Sequence, residues 1–145
     1  MLPARCVELC RTADLILHGG DVVSAAFLAE LRALGPPVEA VWGNMDDPVL
    51  KVELPKEHVV EVGGARIGMV HIPGPAAGRA ARLRAKFPDC DAIVYGHTHV
   101  PDVTRDGGVW ILNSGSPTER RRAPGHAMLM LAVDVGTIRP RLVRL

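Results

Sequence analysis

A chain of 145 residues with 48% hydrophobic and 23% charged side chains has the size and balance of one globular domain that buries a core without a disulfide or metal staple. A formal net charge of +1 and an aromatic content of 3% argue against a broad nucleic-acid surface, whether built on phosphate contacts or on base stacking.

In chain order, Leu2, Cys6, Leu9, Cys10 and Ala13 recur at helical spacing and predict a helix over residues 2–13. The stretch DLILHGGD reads as a short buried strand that turns at Gly19, Gly20 and Asp21. Residues 23–34 return to helical spacing and stop at Gly35 and two prolines. VEAVWGN is a second strand ending in glycine and Asn44. HVVEV and ARIGMVH flank Gly63 and Gly64, a hairpin signal. Residues 77–87 read as helix, DAIVYGHTH as a strand entering a loop, and GGVWILNSGS, HAMLMLAVDV and IRPRLVRL as strands. Helices alternating with strands, then strands alone, predict an α/β layered domain with an antiparallel portion.

Cys6, Cys10 and Cys90 form no disulfide framework and read as reduced thiols of a cytoplasmic protein. Cys6 and Cys10, four apart on a helix, could be a metal pair, but burial as small hydrophobes is the better account. No apolar run of about 18 residues predicts a membrane span, and no secretory signal is expected at the N-terminus. Arginine exceeds lysine by fourteen to three, which reads as the codon usage of a GC-rich bacterial genome.

The strand ends carry the chemistry. Asp21, Asn44 and His71 each follow an apolar strand, and His97 and His99 follow another. In open α/β sheets that edge is where ligand sites form. Taken singly, the aspartate and asparagine are ordinary turn residues and His71 an ordinary core histidine. Together, mixed oxygen and nitrogen donors at four strand ends point to a metal site.

GGD, GNMDD, MVH and YGHTHVP, followed by NSGSP, resemble the metallophosphoesterase family, also called calcineurin-like phosphoesterases, and most of all its small bacterial and archaeal phosphodiesterase branch. The resemblance implies a sandwich of two mixed sheets flanked by helices, with two divalent metals at the strand ends. It implies that Asp21 bridges the metals, that Asn44, His71 and His97 complete one site, and that His99 belongs to the other. Manganese is the ion expected first, with nickel, zinc, iron and magnesium as alternatives. The implied reaction is hydrolysis of a small phosphodiester substrate by a metal-activated water, with Asn44 beside the phosphate.

Three departures accompany the resemblance. The family's N-terminal strand ending in Asp-x-His is missing, and no Asp-x-His occurs anywhere in the sequence. The chain therefore reads as an N-terminally truncated single domain, 1–145, with one nearly complete metal site; a homo-oligomer would be one way to stabilise it. Met45 stands where many family phosphatases carry a histidine, and methionine donates no proton. Asp46 and Asp47 are candidate acids, with a solvated turn before Pro48 the favoured reading. Ile72, Pro73 and Gly74 offer no further ligand after His71. Arg120, Arg121 and Arg122 read as a solvated face, and His18, His58 and His126 as structural. A non-catalytic scaffold, similar to the family's retromer-subunit branch, is the alternative function.

Overall fold

The structure, a computed structural model, describes residues 2–21, 24–44, 46–116 and 125–145. Its elements are α1 (Ala4–Thr12), β1 (Ile16–His18), α2 (Ala25–Arg32), β2 (Val38–Ala40), α3 (Pro48–Glu53), β3 (Glu57–Val62), β4 (Ala65–Val70), α4 (Arg79–Lys86), β5 (Ala92–Tyr95), β6 (Asp102–Asp106), β7 (Val109–Asn113), β8 (Ala127–Asp134) and β9 (Thr137–Arg144).

Period-two alternation along the central strands sorts side chains onto two faces. On β5, Ile93 and Tyr95 meet Leu83 of α4 and Phe87 just past its end, together with Val70 and Ile111. Ala92 and Val94 face the other way, with Ile67, Leu112 and the β8–β9 residues Leu129, Leu131 and Ile138. These strands belong to a five-stranded mixed sheet of order β3-β4-β5-β7-β6. Within it β4, β5 and β7 run parallel, while β3 and β6 are antiparallel edges. Gly63 and Gly64, both with positive φ, close the β3–β4 hairpin as the sequence predicts.

The second β layer differs from a single mixed sheet. It consists of a parallel pair, β1–β2, and a separate antiparallel pair, β8–β9. Helices cover its outer side. Cys6 and Cys10 of α1 pack on Ile16, Val38, Met128 and Leu145. Leu28 of α2 and Leu50 of α3 pack on Ala40. All three cysteines are buried and outside any disulfide.

Two short elements escape the sequence reading. α3 has six residues, too few for a helical period, and starts with Pro48 in its first turn. β6 is a polar edge strand, DVTRD, with three exposed central residues, so it lacks a hydrophobic pattern. His58 acts as a brace, with Nε2 2.8 Å from Glu39 Oε2 across the two β layers.

Ile93 is fully buried at the centre of the larger sheet. Ile93→Ala is expected to lower unfolding free energy by about 2–5 kcal/mol, read as a reduced midpoint in urea.

Candidate functional site

Parallel strands present their carboxyl ends at one edge. From the smaller pair come Gly19–Asp21 after β1 and residues 41–44 after β2. From the larger sheet come His71 after β4 and residues 96–99 after β5. His71 joins the two layers. Its Nδ1 lies 2.8 Å from the carbonyl oxygen of Gly19, and its own carbonyl accepts the Gly96 N–H at 3.0 Å.

A carbonyl only accepts, so Nδ1 carries the proton and Nε2 is the site left to bind on the other side of the ring. Nε2 lies 3.2 Å from Asp21 Oδ2 and 2.9 Å from Asn44 Oδ1. Asn44 Oδ1 in turn lies 3.2 Å from His97 Nδ1, and the two imidazoles stand edge to face with centroids 5.3 Å apart. Among the described residues no three His, Cys, Asp or Glu side chains form a metal cluster by themselves; the amide of Asn44 is what links the set.

The fit to a cation is a matter of donor chemistry. Asp21 Oδ2, Asn44 Oδ1 and the Nε2 lone pair of His71 are all acceptors turned toward one another, an arrangement that needs a proton or a cation between them. Donors about 2.0–2.2 Å from one ion lie roughly 2.8–3.6 Å apart, and the separations here are 2.9, 3.2 and 3.2 Å. Asp21, Asn44, His71 and His97 could therefore hold a divalent metal. His99 follows His97 by two residues in the same loop and is half-buried.

Backbone geometry at the site is costly. Asp21, His97 and His99 have φ of 58°, 69° and 58°, left-handed values that non-glycine residues adopt at a cost of about 1–3 kcal/mol each. Close approach explains two glycines. A Cβ on Gly43 would lie 2.2 Å from Asp21 Oδ1, and one on Gly20 2.5 Å from His71 Nδ1. The 96–101 loop is braced at its feet by Tyr95, whose hydroxyl donates to Asp102 Oδ2 at 2.6 Å.

Some supporting residues carried no sequence signal of what they hold. Asn113, 1% exposed, donates through Nδ2 to Thr98 Oγ1 at 3.0 Å and accepts the Gly115 N–H at 2.9 Å. It holds the histidine loop against the loop after β7. Asp46 is a correction: the solvated turn fails, because Asp46 is 5% exposed and its Oδ2 accepts the Gly43 N–H at 2.9 Å. Asp47 is exposed at the start of α3. His18 is structural as read: Nδ1 accepts the Gly20 N–H at 3.2 Å, and burial pushes its pKa below the ordinary value against the pull of the Asp46 carboxylate. After His71, the 72–78 loop is tied to α4 by Arg79 Nη2 to Gly74 O at 3.0 Å and Arg82 Nη1 to Ala77 O at 2.7 Å. Met45 and Arg120, Arg121 and Arg122 lie outside the described residues.

Residues 1–136 match the calcineurin-like phosphoesterase superfamily domain. A probable metallophosphoesterase of Methanothermobacter thermautotrophicus is 32% identical over 145 residues, covering 99% of this chain and 83% of that protein. Among solved structures, a novel archaeal phosphodiesterase is similar at a TM-score of 0.77 and 18% identity, covering 96% of this chain and 90% of the other. Wild-type Vps29 of Entamoeba histolytica, in complex with zinc, is similar at 0.77 and 23% identity, covering 99% and 90%.

Gly43→Ala is expected to push Asp21 out of place and to lower stability by about 1–3 kcal/mol. Thermal unfolding with and without added zinc checks it: the variant should lose any metal-induced rise in Tm along with the lower baseline.

Proposed function

The chain belongs to the calcineurin-like phosphoesterase superfamily, and from that premise we propose that it is a metal-dependent phosphodiesterase acting on a small diester. The observation that carries this reading is the set of acceptor atoms from Asp21, Asn44 and His71 turned on one point, with His97 beside it. A divalent cation bound there supplies Lewis acidity toward phosphate oxygens and a nucleophile from water at neutral pH.

The protein's own residues prepare that point. Asp21 contributes the negative charge. His71 is oriented by Gly19, so its binding nitrogen needs no reorganisation. Asn44 is exposed at the mouth and is the donor placed to meet a phosphate. Mixed nitrogen and oxygen donors suit manganese, zinc, iron and nickel alike; manganese is our first choice. His99, with a share of Asp21, is assigned to a second ion. Asp46 is committed to the Gly43 amide, which removes it as general acid. A diester with a good leaving group is therefore the substrate class favoured.

A non-catalytic scaffold is the second reading. It is favoured by Val49 and Val52, 67% and 89% exposed on α3. Metal content separates the two: about two ions per chain is the enzyme's complement, whereas a metal-free protein that binds none on addition would be the scaffold.

With added manganese, the protein is expected to hydrolyse bis-p-nitrophenyl phosphate, and His97→Ala or Asn44→Ala to lower kcat/KM by roughly 100-fold. Release of p-nitrophenol reports both. Wild-type protein that stays inactive at saturating metal would end the phosphodiesterase reading.

A further inference from the structure

The buried carboxylate of Asp46 has no task in the chemistry above, yet it sits beside both strand ends that carry oxygen donors. Gly43 and Asp46 are clamped to each other twice. The Asp46 N–H donates to Gly43 O at 3.1 Å, and the Gly43 N–H donates back to Asp46 Oδ2 at 2.9 Å. Asn44 lies inside that clamp. The first bond alone makes an ordinary turn. The second is made by a carboxylate held at 5% exposure, and burying such a group is costly without partners. Asp47, its neighbour, is exposed and makes no side-chain cap to α3, so the turn does not demand burial of acidic side chains in general.

What the second bond fixes is the placement of Gly43, and Gly43 has no slack. The site of its missing Cβ is 2.4 Å from the Asp21 amide nitrogen and 2.2 Å from Asp21 Oδ1. Turning the Gly43 peptide would therefore move Asn44 away from His71 and His97 or drive Gly43 into Asp21. Half-buried His18 ends β1, and its Nδ1 accepts the Gly20 amide, so the turn that carries Asp21 is held from its own strand as well.

We infer that Asp46 is a positioning residue: by accepting the Gly43 N–H it sets the direction of the Asn44 amide oxygen and keeps it in register with Asp21. The inference rests on the reading of Asn44 as a metal ligand. It assigns to this carboxylate a role in metal affinity exerted through the backbone, with no contact to substrate.

Calorimetric titration of the full chain with manganese chloride, and separately with zinc chloride, tests it on wild type, Asp46→Ala, Asp46→Asn and Asp47→Ala. Asp46→Ala should weaken binding by about 10–100-fold, the usual effect of losing a partner that orients a ligand. Asp46→Asn keeps an acceptor oxygen at the same reach and should restore affinity close to wild type, and Asp47→Ala should match wild type. A general structural role would instead lower Tm in Asp46→Ala without changing affinity, and that outcome overturns the inference. So does an Asp46→Asn as weak as Asp46→Ala, which would make charge the determinant. If Asp46→Ala does not fold, Asp46→Ser, whose hydroxyl is too short to reach Gly43, takes its place with the same expected loss. Wild type that binds neither metal would instead refute the ligand role of Asn44, on which the inference stands.

Discussion

One imidazole holds the edge of this molecule together. His71 is nearly buried, and each side of its ring is engaged: Nδ1 with the Gly19 carbonyl, Nε2 with Asp21 and Asn44. Those partners belong to the smaller β pair, whereas His71 ends β4 of the larger sheet. A side chain from one layer thus fixes the loops of the other. The backbone repeats the tie, since the carbonyl of His71 accepts the amide of Gly96 just before His97. Move His71, and three strand ends lose their common reference.

That arrangement works because of strand direction. β1 and β2 are parallel, and so are β4 and β5, so their carboxyl ends open on one edge, where crossover connections leave room for a site. Convergence then requires backbone to come close against the side chains of the neighbouring strand ends. Glycine is the residue that allows it at positions 20 and 43. Asp21, His97 and His99 take left-handed conformations without that help. Three of the four described non-glycine residues with positive φ are thus candidate donors, the other being Val135 in the β8–β9 turn.

How much of this was legible in the sequence depended on pattern length. β4 and β5 are apolar runs punctuated by glycine or by histidine, and they were readable with their side-chain alternation. α3 and β6 were not, because six residues starting at proline and five polar residues at a sheet edge carry no periodicity. The donors were legible because each ends a readable strand. The burial of Asp46 was not: a carboxylate before Asp47 and Pro48 looks like solvated turn chemistry, and its 5% exposure is a tertiary property. Asn113 was legible as the start of NSGSP, but its hold on Thr98 was not, because that partner lies in another loop. The splitting of the second β layer is likewise a property of pairing between distant segments, to which no local pattern speaks.

The fold and the site lean on each other unequally. The cluster of Leu83, Phe87, Ile93 and Ile111 between α4 and the larger sheet contains none of the donors, and the cluster of α1 with β1 contains none either. Apolar burial of this kind supplies most of a domain's stability. The donors, by contrast, add buried polar groups and left-handed backbone, both of which subtract from it. The sandwich can therefore persist while its edge drifts, but the edge cannot form without the sandwich to aim it.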